Sequence, residues 1–588
     1  MLAHKFFALP GRTLAEASSK LLPVAGEAVS EPPVGDEVVS DSTVSDARAI
    51  GAARRLRALS YALEAALYAV VGGSALAIGA VHPWAYVPLW LGAGGIAILL
   101  GLRAAQIRGL RRRLGPRPFA FHVTGRWLVL DPAHDEPAGW GFDLSRPVLP
   151  HPALLWPGVA FLAWGVVQMA PLPAAVVDLL SPGRGHVSAG ELRHAHAFTI
   201  DAAASLRGLA FALSMLVFYG AAATLAEHPT ARHRFRMFAA WFGAFLAGIA
   251  LVQIAIAAKR IYGIFMPEDS AAFFGTFVNR NHFAAYMTLC AMASLAILDR
   301  ALDRYRYHLG GRPNFRRAMV MLGRPAGVRL ILAVVPVLMT IGTLIATTSR
   351  AGIISFVFAI VLAAMLVRQH REHLPAGALA FLLVLPLAWF GLERLQTRFG
   401  DVQANKIGRT AIWRESVASM SGTWLTGAGL NTYREAVSRA LPLVMPAGAT
   451  AWPEEVAEAL PARLSIGYRT PVDLPKWTWY EEAHNDYIQL AVEMGAIGAA
   501  IGLWALILLR RRLREPWLAA GVAGILAHST VDFSLQIPAV AVLFFVVCAY
   551  AERTALRNPV ARRRREPPLA APADESGWSS TAAARARG

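Results

Sequence analysis

A chain of 588 residues that is 55% hydrophobic and only 16% charged falls outside the range of soluble proteins, in which roughly a quarter of residues carry charge. Its net charge of +18 would suit a nucleic-acid binder, but the arginines cluster between apolar blocks about 20 residues long, the length that crosses a ~30 Å hydrocarbon layer. Composition therefore excludes a soluble enzyme and a nucleic-acid partner, and indicates an all-α polytopic membrane protein that contacts membrane lipids.

In chain order, residues 1–55 form a tail whose Ser, Glu, Asp, Val and Pro content shows no sustained period and predicts disorder. Its apolar core is too short for a signal peptide. Apolar segments are expected at about 58–80, 83–102, 150–171, 207–226, 236–257, 282–301, 329–348, 351–368, 376–392, 487–509, 517–535 and 538–552. That makes about twelve membrane helices, nine within 56–392 and three within 487–552. Ser349-Arg350 divides 329–368, because one helix of that length would overshoot a bilayer. Cys290 and Cys548 both lie inside apolar segments, without the spacing of a metal or disulfide motif.

Between the ninth and tenth segments lies a large loop, 393–486. It is expected to contain amphipathic helices. In TAIWRESVASMSGTWLTGAG the residues Ile412, Trp413, Val417 and Met420 recur at near-helical spacing, with Gly427 and Gly429 as stop signals. Residues 553–588 form a basic tail.

Arginine fixes the expected orientation. Clusters at 103–117, 304–324, 368–371, 510–514 and 562–565 all fall on one side of the predicted helices. By the positive-inside rule that side is the cytoplasm. Both termini are then cytoplasmic, and the loops at 172–206, 258–281, 349–350 and 393–486 face outward.

The outward loops hold the polar candidates. His484-Asn485-Asp486-Tyr487 stands at the mouth of an apolar helix. The imidazole titrates nearest neutrality of all side chains and can accept a hydroxyl proton, while the same cluster could equally cap the helix. Arg280, in FVNRNHF, is either a headgroup anchor or an anion contact, with Asn279, Asn281 and His282 as capping groups. Arg350 has almost no loop to carry it into water, and a membrane-embedded arginine usually faces a cavity or a partner. Arg409 and Arg414 flank Trp413, as sugar or phosphate contacts or as a solvated helix face. His528 and Asp532, four apart, favour a buried contact that locks helices together, with a proton relay as the alternative.

Five stretches occur in order: GTFVNRNHFAAYM (275–287), TTSRAGIISF (347–356), RTAIWRESVASMSGTWLTGAGLNTY (409–433), EEAHNDYIQLAVEMGAIG (481–498) and HSTVDFSLQIPA (528–539). In these, and in VQMAPLPAAVVDLLSPG (167–183), the chain resembles the O-antigen ligase and O-antigen polymerase superfamily, integral membrane glycosyltransferases of the bacterial envelope. The resemblance covers about 150–550. It implies an inverting, metal-independent enzyme of the bacterial inner membrane that needs no cofactor. Such an enzyme moves a glycan from undecaprenyl diphosphate to an acceptor hydroxyl at the periplasmic face.

The resemblance also implies roles for particular residues. Arg280 and Arg350 would bind the diphosphate, where a planar, always-charged guanidinium pairs with phosphate oxygens. His484 would activate the acceptor. The residues around it, not the resemblance, offer Asp486 or Glu482 to orient it and Arg409 and Arg414 as glycan or phosphate contacts. The acceptor could be a second lipid-linked repeat, as in a polymerase of surface polysaccharide or exopolysaccharide, which is the favoured reading. Lipid A-core, as in a ligase, and a protein hydroxyl are the alternatives. A solute transporter of the bicarbonate type is a reading from another class, weakened by polar residues that gather at one face with no paired repeat.

The orientation is testable with cysteine probes. A cysteine replacing Ser421 should react with an impermeant maleimide in cells with a permeabilised outer membrane, while one placed in 302–328 should stay protected. The reverse pattern would invert the assignment.

Overall fold

The computed structural model describes residues 43–44, 47–115, 120–124, 127–131, 148–183, 196–267, 273–310, 314–368, 402–440 and 482–552. The tails, the expected segment at 376–392 and most of the 393–486 loop lie outside them. The helices are α1 Ala47–Leu76, α2 Pro83–Leu114, α3 Leu155–Met169, α4 Ala174–Leu180, α5 Ala202–Ala226, α6 Pro229–Ala255, α7 Arg280–Leu309, α8 Phe315–Leu322, α9 Pro325–Ala346 and α10 Arg350–Arg368. They continue with α11 Val402–Ser419, α12 Tyr433–Ala440, α13 Asp486–Arg512, α14 Pro516–His528 and α15 Pro538–Ala551.

The architecture is mostly helical, with three corrections to the expected one. Among the described residues, eight helices are long and apolar enough to cross a membrane: α1, α2, α5, α6, α7, α9, α10 and α13. The segments expected at 150–171, 517–535 and 538–552 are instead α3, α14 and α15, of 15, 13 and 14 residues. At 1.5 Å per residue these span about 20 Å, short of a ~30 Å core. The chain is also not purely α. Besides the two-residue strand β1 (Thr43–Val44), Ala120–Thr124 (β2) and Trp127–Asp131 (β3) pair as an antiparallel hairpin, Phe121 opposite Leu130 and Val123 opposite Leu128. The run AFHVTGRWLVL carries that signal in its β-branched and aromatic residues around Gly125. Finally, α1 begins at Ala47, inside the stretch assigned to the disordered tail.

Helix α7 is the axis of the bundle. Its apolar window is 89% buried, the highest of the eight. Close approach depends on small residues, as membrane helix packing does. A Cβ on Gly243 of α6 would meet Cys290 Cβ of α7 at 2.6 Å, and one on Gly352 of α10 would meet Ala284 Cβ of α7 at 2.5 Å. Cys290 and Cys548 are free, buried thiols.

Helix α13 is broken at Gly495, where φ is 65° and ψ −166°. A break inside an apolar helix frees backbone groups that lipid cannot satisfy. The non-helical segment 424–429 satisfies them. Ala428 and Gly429 N–H donate to the carbonyls of Val492 and Glu493 (3.0 and 2.9 Å), and Ala496 N–H donates to Trp424 (2.8 Å). From α3, Trp164 Nε1 donates to the Met494 carbonyl (3.0 Å), and Gln168 Nε2 to those of Thr426 and Glu493 (2.7 and 2.8 Å). Gly427 and Gly429 therefore do not terminate α11, which stops at Ser419. They let this segment lie against the break.

Gly427→Ala tests the fit. An added Cβ would sit 2.3 Å from the Glu493 carbonyl oxygen, on a backbone with φ of 75°. Thermal unfolding in detergent should show a loss of about 1–3 kcal/mol, the usual cost of overpacking. An unchanged melting temperature would mean the segment is not held as described.

Candidate active site

The site is assembled from helix starts. Asn279 caps α7, its side chain accepting from Asn281 N–H at 2.8 Å, so Arg280 is the first residue of that helix. Arg350 is the first residue of α10. The two starts are tied together: Ser349 Oγ donates to Asn281 Oδ1 at 2.8 Å. Ser349 is placed by Thr348, a β-branched residue with φ of 52°, a conformation that costs roughly 1–2 kcal/mol. The link brings together the helix turns that carry Arg280 and Arg350, both half-buried. Two helix N-termini bearing two arginines make a strongly anion-seeking surface.

His484 enters from the segment before α13 and is held by its neighbours' backbones. Trp413 Nε1 of α11 donates to the Ala483 carbonyl at 3.1 Å, and Ala483 N–H donates to Gln489 Oε1 at 3.2 Å. His484 itself has φ of 49°. Capping belongs to Asn485, whose side chain accepts from Tyr487 and Ile488 N–H. Asn485 Nδ2 also donates to the Thr530 carbonyl (2.8 Å), and Asp486 N–H to the Ser529 carbonyl (3.0 Å). These bonds stitch the segment to the turn 529–537, between α14 and α15.

That turn presents Asp532, which is 0% exposed. Its Oδ1 accepts from Phe533 N–H at 2.9 Å and lies 3.7 Å from His484 Nδ1 and 3.8 Å from His282 Nε2. Phe533 sets its ring edge-on to both imidazoles, at 4.9 and 4.8 Å. Burial by itself would raise the Asp532 carboxyl, but the facing imidazoles hold it well below the usual carboxylate range. The His484 side chain keeps 34% exposure, so one ring faces both solvent and a buried carboxylate.

The expected site residues separate accordingly. Arg280, Arg350 and His484 lie on elements that meet. Arg409 is half-buried and near enough to His528 for its charge to act on it, whereas Arg414 is exposed. The Asp486 carboxylate accepts from Leu535 N–H (3.1 Å), and Glu482 accepts from Gln489. The expected helical pair of His528 and Asp532 does not form, because α14 ends at His528. His528 Nδ1 instead meets Ser534 Oγ at 2.8 Å. The sequence reading passed over Asp532 as a site residue because its spacing from His528 mimicked a helix face. It read His282 as a cap, yet His282 lies inside α7. Among the described residues, no group of three or more His, Cys, Asp or Glu side chains is placed to hold a metal ion.

Comparison with known families fits this arrangement. Residues 335–503 match the family model described as O-antigen ligase. The chain carries an O-antigen ligase domain. No curated protein matches the chain. The domain runs from α9 into α13 and takes in Arg350, Arg409, Arg414, Glu482, His484 and Asp486, while Arg280, His282 and Asp532 lie on flanking elements. The family match implies a membrane enzyme of the O-antigen ligase/polymerase type, and with the apolar helices it indicates a multi-pass membrane protein.

The link between the two arginine-bearing helix starts can be measured. Asn281→Ala and Ser349→Ala should each cost about 1 kcal/mol of stability, the scale of one hydrogen bond, and the double variant should cost less than their sum. Strict additivity in thermal unfolding would show that the bond does not join the helices.

Proposed function

We propose that the protein transfers a glycan from a lipid-linked diphosphate to an acceptor hydroxyl, with inversion and without a metal, at the periplasmic face of the bacterial inner membrane. The observation that carries this reading is the shared Asp532 carboxylate. It turns His484 into an oriented imidazole whose positive charge, once it has taken a proton, is met by a fixed negative partner. Arg280 and Arg350, at linked helix N-termini, supply the positive field for the leaving diphosphate.

The step balances simply. His484 takes the acceptor proton as the acceptor oxygen bonds to the anomeric carbon, and the bond from that carbon to the diphosphate oxygen breaks with its electron pair going to the diphosphate. Attack opposite the leaving group inverts the centre. The polarity of the helices supports the orientation. α7, α10 and α13 all start at the site and end at Arg306, Arg368 and Arg510–Arg512, the basic ends expected on the cytoplasmic side.

Polymerase is the acceptor class we favour. A polymerase must hold two lipid diphosphates, and Arg409, whose charge reaches His528, offers a second basic group. Purified protein given a single lipid-linked repeat unit should build a ladder of longer glycans, read on a gel. A single product formed only when lipid A-core is supplied would identify a ligase. In the same assay His484→Ala should lower turnover by about 10²–10⁴-fold, the usual worth of a general base, while donor binding persists. Arg280→Lys and Arg350→Lys should bind donor more weakly, because lysine lacks the planar fork. Normal turnover in His484→Ala would remove the base.

A further inference from the structure

His282 has no part in the step as written, yet its position is hard to explain as packing. It is 2% exposed, and neither ring nitrogen makes a hydrogen bond among the described residues. Burying polar nitrogens without partners is costly. Its Nε2 faces the same Asp532 Oδ1 that faces His484 Nδ1, from the opposite element and at a nearly equal distance (3.8 against 3.7 Å). Phe533 packs edge-on to both rings, which fixes the plane of each against the carboxylate. His282 is also two residues beyond Arg280 on α7, so it belongs at once to the helix turn that carries the anion-seeking arginine and to the carboxylate that serves the base.

We propose that His282 is a positioning residue for the base: its Nε2, 3.8 Å from Asp532 Oδ1, keeps that carboxylate in the rotamer that faces His484 by a close polar contact. This inference rests on the glycosyl-transfer reading above. A carboxylate touched by one imidazole can turn about its terminal bond. Fixed additionally by the Phe533 N–H and by a second imidazole, it presents Oδ1 to His484 in one orientation. The imidazolium that forms on His484 then meets a charge already in place, with no reorganisation during the step. His528 also acts on this carboxylate through its charge, while its Nδ1 is bonded to Ser534 Oγ.

The geometry gives a discriminating test, because only one ring nitrogen faces Asp532. Glutamine places its amide N–H where Nε2 stands; asparagine reaches only to the Nδ1 position; leucine fills the space without a donor. In the glycan-transfer assay, His282→Gln should keep kcat within about threefold of wild type. His282→Asn and His282→Leu should lose up to roughly 10²-fold, the scale of a misplaced catalytic group. KM for the lipid-linked donor should stay near wild type in all three. A general packing role would not distinguish glutamine from asparagine. The inference is overturned if glutamine is as poor as asparagine, if asparagine and leucine are as active as wild type, or if the losses appear in KM. Wild type and His484→Ala are run alongside. No His484-dependent turnover in wild type would defeat the glycosyl-transfer reading itself, whereas His484-dependent turnover indifferent to His282 would defeat only this inference. Should leucine fail to fold, the glutamine–asparagine comparison still decides.

Discussion

A carboxylate cannot be buried in a membrane protein without partners, and Asp532 organises the protein around that requirement. Its charge is removed from water completely. Desolvation of that kind costs several kcal/mol unless opposite charge and hydrogen bonds offset it. The offset comes from three separate parts of the chain: the first turn of α7, the segment before α13, and the main chain of its own turn. Two short helices, α14 and α15, place the turn itself. What is stabilising for the bundle is also what faces the His484 and His282 imidazoles with one carboxylate.

Much of this was legible in the residues. Long apolar runs gave the membrane class, and Ser349-Arg350 gave the division between α9 and α10, because no bilayer accommodates a helix across both. The polar cluster at His484 stood out against its apolar surroundings. Short helices were less legible. Periodicity cannot tell a 14-residue buried helix from a spanning one when both are uniformly apolar, and α14 and α15 have polar turns hidden among hydrophobic neighbours. The spacing of His528 and Asp532 misled for the same reason. Four residues apart means one face only if the helix continues, and whether it continues is decided by the contacts of Ser529 and Thr530 with Asn485 and Asp486.

His282 illustrates the limit from the other side. Beside Asn279 and Asn281 it reads as one of several capping groups. Capping in fact needs only Asn279, which leaves Asn281 to reach Ser349 and His282 to face inward. Adjacent polar residues at a helix start point in directions about 100° apart, so three similar letters hold three different partners. Tertiary structure assigns them; local sequence cannot.

The helix break at Gly495 bears on how the molecule is made. Segment 424–429 is synthesised well before the positions of α13 that it bonds, which include Glu493 and Ala496. Until α13 has entered the bilayer, the Ala428 and Gly429 N–H groups and the Trp424 carbonyl lack their α13 partners, and Trp413 has no Ala483 carbonyl to receive its indole N–H. The cluster of His282, His484 and Asp532 therefore comes together only after translation has nearly finished. A ribosome-bound or C-terminally shortened nascent chain would hold Arg280, His282 and Arg350 with neither His484 nor Asp532 to face them.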